Sequence, residues 1–126
     1  MITITQESVS PQLLFDALNT NSSGSIVMHL GIVRPDSNGR KVVSIEYQAD
    51  INTSERELSN IANEILTKWE IQDIALCRRI GRLELGDLIL MVAVASPHRK
   101  EAFEACEYAV ECMRNMDSVR KKEILE

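Results

Sequence analysis

Leu88-Ile-Leu-Met-Val-Ala-Val-Ala95, followed at once by Ser96-Pro97-His98-Arg99 and Lys100-Glu-Ala-Phe-Glu-Ala-Cys106, decides the fold. Eight apolar residues bounded by turn residues read as a buried strand. Apolar positions then recur at helical spacing. Ala102, Phe103, Ala105, Cys106, Ala109, Val110, Met113 and Met116 fall on one side of a helix expected over 97–117. Phe103 and the methionines are expected in the core. A strand that turns into a helix through Ser-Pro leaves the first helical N–H groups unpaired, and with the positive end of the helix dipole they attract anions. Acidic residues usually occupy such a first turn, but here His98 and Arg99 add two further donors. An anion site and a capped helix with two solvated side chains both fit this segment taken alone.

Working outward, residues 2–5 alternate and read as a short strand, and Ser10-Pro11 opens a short helix over 12–18. Residues 25–33 are largely apolar and are expected to form a strand buried on both faces. Pro35-Asp-Ser-Asn-Gly39 is a turn signal, and 41–48 resumes strand alternation with Val43, Ile45 and Tyr47. These two strands are expected to pair as a hairpin with a mobile, basic tip. Asn52 with Glu55 fits a helix start, and Leu58, Ile61, Ala62, Ile65, Leu66 and Trp69 mark its apolar face. A strand over 71–80 carries Arg78-Arg79, and residues 84–87 make a turn. The segment 118–126 is basic, then acidic, and reads as a tail free to move. The order β-α-β-β-α-β-β-α predicts one α+β domain over 1–126, layered, with a mostly antiparallel sheet.

The net charge of −5 argues against general nucleic-acid binding, which needs excess positive charge. No apolar run approaches the roughly 20 residues of a membrane span. Residues 1–6 have neither the basic nor the apolar region of a signal peptide. Cys77, Cys106 and Cys112 lack CxxC or metal spacing and suit buried thiols in a reducing cytoplasm, the expected location. Phosphate-binding glycine loops, a Ser-His-Asp arrangement and metal-ligand spacing are all missing, so neither a metal nor a cofactor is expected. His29, among Ile26, Val27, Met28 and Leu30, reads as a core or interface histidine. Basic residues gather at Arg34, Arg40-Lys41, Arg78-Arg79, Arg82, Arg99-Lys100 and from Arg114 to Lys122. If these converge, they form a pocket for a phosphorylated or carboxylated ligand, with lysine or histidine able to move protons. If they do not, they are solvated faces.

Several motifs together resemble a family, the large catalytic subunit of molybdopterin synthase. They are Gly31-Ile-Val-Arg34, Glu46-Tyr47, Arg79-Ile-Gly-Arg-Leu-Glu-Leu-Gly86-Asp87, His98-Arg99, Phe103-Glu-Ala105 and Lys121-Lys122-Glu123. The resemblance implies an α/β hammerhead-like fold with a small β-subdomain. It also implies a homodimer within a heterotetramer. The implied partner is a small ubiquitin-like sulfur carrier whose C-terminal Gly-Gly thiocarboxylate supplies sulfur to a phosphorylated pterin, cyclic pyranopterin monophosphate. Carried over by position, Ile32, Val33, Arg34, His98 and Arg99 would bind the substrate, with Lys121, Lys122 and Glu123 closing the site. The family's principal catalytic lysine falls on Arg114, which can hold an anion but cannot serve as a proton-transfer lysine. His29 and Arg120 also replace family aromatics, Ser118 replaces a proline, and the family's usual C-terminal extension lies beyond the position of Glu126. Three readings stay open. Lys121 or Lys122 takes the lysine's role, or Arg114 suffices with His98 handling protons, or the chain is a non-catalytic paralogue that binds the ubiquitin-like partner or a pterin phosphate.

Overall fold

A computed structural model describes residues 1–125. The elements are β1 (Ile2–Thr5), α1 (Pro11–Ala17), β2 (Ser25–Ile32), β3 (Asp36–Ser37), β4 (Arg40–Ala49), α2 (Ile51–Lys68), β5 (Asp73–Arg79), β6 (Gly81–Glu84), β7 (Leu88–Ser96), α3 (Arg99–Arg114) and β8 (Val119–Leu125). The apolar run β7 is interior to a sheet of order β1-β5-β7-β2. It is antiparallel to both neighbours, and only β1 runs parallel to β5. Its alternation serves two cores, because successive side chains point to opposite faces. Leu90, Val92 and Val94 pack with Leu58, Ile65, Ala102 and Ala105 of α2 and α3. Met91, Ala93 and Ala95 pack with Leu14 and Leu18 of the α1 segment. A strand covered on both faces needs no polar alternation, which is why its sequence reads as continuous.

The second sheet is built on β4, which pairs with β3, β6 and β8. Here the sequence expectations need correction. β2 does not form a hairpin with β4; it pairs with β7 along its whole length. The Asn38-Gly39 turn closes a much smaller hairpin, β3 with β4. Both turn residues have positive φ, 51° and 80°, as a tight two-residue hairpin turn demands. β2 is also an edge strand, so it is not buried on both faces, and Leu30 and Ile32 are exposed. Nor is 118–125 an unpacked tail (Glu126, the last residue of that expected tail, lies outside the described residues), since β8 runs antiparallel to β4. Its exposed basic residues hide the strand, while Val119 and Leu125 reach the core. The start of α2 moves two residues upstream to Asp50, whose carboxylate accepts from Thr53 N at 2.9 Å. Phe103 lies on the outer side of α3 and is 61% exposed, so it is not core.

The Ser96-Pro97 turn is held from two sides. Ser96 Oγ donates to Glu70 O at 3.0 Å and accepts from His98 N at 3.3 Å. Gly24 N donates to Ser96 O at 3.0 Å. A Cβ on Gly24 would sit 2.7 Å from Pro97 O, and that neighbour is backbone. Gly24→Ala is therefore expected to destabilise by about 1–2 kcal/mol through overpacking. Urea denaturation reads this as a lower midpoint; an unchanged midpoint contradicts it.

Candidate functional site

A cavity of about 440 Å³ opens where the second sheet meets the C-terminal end of α3. Arg34 enters just beyond β2, Tyr47 comes from β4, Arg78 from β5, Arg114 from the last turn of α3, and Lys121 and Glu123 from β8. Four cations thus face two carboxylates, those of Asp36 and Glu123, in a chain that is acidic overall.

Strand register decides which tail residues take part. Lys121 lies opposite Tyr47, and Glu123 opposite Ile45, so all four share one face. Lys122 lies opposite Glu46, on the other face, and does not line the cavity. Glu123 accepts a hydrogen bond from Ser37 Oγ at 3.1 Å and stands 3.9 Å from Lys121 Nζ. Lys121 is the one lysine at the cavity among the described residues.

The Arg79-to-Asp87 motif is the frame for Arg34. Gly81 and Gly86 adopt positive φ at its two bends. Asp87 accepts from Glu84 N at 2.8 Å and lies 4.0 Å from the Arg79 guanidinium, which donates to Gln6 O at 3.1 Å. Val33 N donates to Asp87 O, and Gly86 N to Val33 O. These bonds fix the backbone on either side of Val33, whose side chain is buried in the core. Val33 therefore anchors the segment, while Ile32 and Arg34 reach the cavity wall.

His98 and Arg99 do not join this group within one chain. They sit at the opposite end of α3, which spans roughly 24 Å at 1.5 Å per residue. Both are exposed, and the His98 side chain makes no capping bond. His29 is half-buried at the cavity rim and is not a core residue.

Sequence reasoning counted Arg78 among the gathered basic residues but gave it no role of its own at the site. Its side chain is only 4% exposed, and its guanidinium lies 4.3 Å from the Tyr47 ring centre. Burial pushes its pKa below the ordinary arginine value, and Tyr47 partly opposes this. The sequence signal was the Arg78-Arg79 doublet within a buried strand, because neighbours in a strand point to opposite faces. Arg79 serves the clamp; Arg78 serves the cavity. The two buried thiols give no alternative chemistry. Burial pushes Cys77 and Cys106 each up to about 11, which leaves both protonated and unreactive near neutrality.

The structure is thus a two-sheet α+β fold with a cationic cavity beside a helix end. A sequence profile described as MoaE protein matches residues 4–116, and the chain belongs to that family. It is 37% identical over 123 residues to the molybdopterin synthase catalytic subunit of Bacillus subtilis (strain 168), covering 98% of this chain and 78% of that one. The catalytic subunit of Thermoplasma volcanium is 33% identical over 125 residues, covering 99% and 91%. The crystal structure of molybdopterin synthase from Staphylococcus aureus superposes with a TM-score of 0.90 at 36% identity, covering 99% of this chain and 91% of that one.

Proposed function

We propose that this chain is the sulfur-transferring catalytic subunit of a molybdopterin synthase. It takes sulfur from the thiocarboxylated Gly-Gly end of a small ubiquitin-like carrier and places it on cyclic pyranopterin monophosphate. The observation that carries this reading is the meeting of Arg34, Arg114 and Lys121 in one cavity of an acidic protein. Both the incoming tail and the substrate are anions, and fixed cations in a partly desolvated site hold anions and stabilise charge that develops during transfer. Of the four cavity cations, Lys121 is the one that can also exchange a proton, since guanidinium groups stay charged. Glu123 positions its ammonium. Arg114 holds the anion without moving protons.

His98 and Arg99 complete the site from a second copy. In a homodimer that lays the exposed α3 N-terminus of one chain near the cavity of the other, their donors close over the substrate. The exposed apolar edge at Leu30 and Ile32 supports a contact between copies. Mixing inactive Arg99→Ala chains with inactive Lys121→Ala chains is then expected to restore part of the activity, because some dimers carry one intact site. No recovery on subunit exchange contradicts the shared site.

Reconstitution with thiocarboxylated carrier and pterin substrate tests the main reading. Wild type is expected to form product, and Arg114→Ala to keep turnover within about tenfold, the loss of one charge-assisted contact. One observation, arginine at the family's lysine position, favours a second reading: a non-catalytic paralogue that docks the same partner. Carrier binding without any product would establish that reading and overturn the first.

A further inference from the structure

We propose that Arg78 is an anion-binding residue at the floor of this cavity, gripping a terminal oxyanion, either a phosphate or a C-terminal (thio)carboxylate. The inference rests on the anion-binding reading of the cavity, not on turnover. Arg78 is 4% exposed and lines the cavity. Its Nε is fully buried and lacks any hydrogen-bond partner. Among the described residues, no carboxylate comes within 4.0 Å of its guanidinium.

Arg79, next along β5, is the internal comparison. It too is buried and its Nε is likewise unpaired, yet its terminal nitrogens find Gln6 O and Asp87. A buried, unpaired charge is strongly destabilising. The Tyr47 ring, 4.3 Å away, offsets only part of that through cation–π attraction. Arginine cannot escape by losing its proton. A structural arginine in this position would be expected to have a protein partner. Arg78 instead has an open cavity in front of it and three further cations, Arg34, Arg114 and Lys121, around the same space. Those three are exposed, so water screens them. Arg78 is the desolvated one, and its fork matches two oxygens of one anionic group.

The test compares wild type, Arg78→Met and Arg78→Lys, without carrier turnover. Thermal unfolding and calorimetry are followed while titrating inorganic phosphate, and separately a synthetic peptide ending in a free Gly-Gly carboxylate. Wild type is expected to gain several degrees in Tm with at least one probe. Arg78→Met is expected to have an unchanged or higher Tm without anion, and to bind that probe at least about tenfold more weakly, the loss of a charge-assisted pair. Arg78→Lys, which keeps the charge but not the fork, is expected to fall between them. A response to phosphate alone assigns the anion to the phosphorylated substrate; a response to the peptide alone assigns it to the carrier tail. Either supports the inference. Wild-type affinity in Arg78→Met for both probes overturns it. So does a lower Tm of anion-free Arg78→Met, which would make Arg78 structural. If Arg78→Met does not fold, wild-type affinity in Arg78→Lys overturns the fork. Phosphate binding through Arg78 without sulfur transfer would leave this inference standing while the proposed activity fails.

Discussion

Lys121→Ala is expected to lower sulfur transfer by about 10²–10⁴-fold, the range for removing a positioned proton-transfer group. Three features single out this side chain. It lies on the cavity face of β8, opposite Tyr47. It has a carboxylate partner in Glu123 at 3.9 Å. It is also the only cavity cation, among the described residues, whose charge sits on an amine and not on a guanidinium. Lys122→Ala is the matched control. That side chain points to the other face with Glu46, so activity is expected to change by no more than about twofold, because neighbours in a strand do not share a face. Equal losses in the two variants would mean that general positive charge on β8 matters and position does not. Carrier binding, measured separately by calorimetry, should stay near wild type in Lys122→Ala.

Glu57→Ala is expected to cost about 3 kcal/mol and to reduce activity at a distance from the cavity. Glu57, on α2, accepts from Asp117 N and Ser118 N at 3.0 Å each and from Ser118 Oγ at 2.6 Å. Ser118 also meets Ser54 Oγ at 2.8 Å. This carboxylate therefore holds the turn that leads from α3 into β8, and so the strand that carries Lys121. Burial opposes ionisation of Glu57, but the donors of Ser118 and Asp117 outweigh it and keep the pKa below the usual 4.5. A lowered folded-state pKa stabilises the protein fully above the unfolded value and ceases to do so as pH falls through the folded one. Wild type should thus lose this contribution on acidification below about 4.5, and Glu57→Gln should lack that component of the pH dependence. Denaturation midpoints at a series of acidic pH values check this; parallel curves for the two proteins contradict it.

Much of the fold was legible because β7 and α2 obey one pattern each. A continuous apolar run and a helical stripe leave little choice. The errors lie where pairing depends on distant residues. Nothing local in 25–33 says that its partner is β7 and not β4, since both are apolar enough to accept it. β8 was hidden because its inward face sets Lys121 and Glu123 between Val119 and Leu125 while its outward face carries Arg120 and Lys122, so no apolar alternation shows and the segment reads as a charged tail. At the site, Arg34, Arg114, Lys121 and Glu123 were legible as a basic set plus a family motif. Arg78 was not, because only burial separates it from Arg79. The distance of His98 and Arg99 from Arg114 could have been foreseen, since the helix between them has a fixed rise per residue.

In the proposed reaction, sulfur leaves the carrier's thiocarboxylate at this cavity. Mass spectrometry of the carrier, incubated with the chain and pterin substrate, tests it most directly. Conversion of thiocarboxylate to carboxylate, with matching product, is expected to require both substrate and Lys121. A carrier that stays thiocarboxylated while bound to wild-type chain and substrate would contradict it.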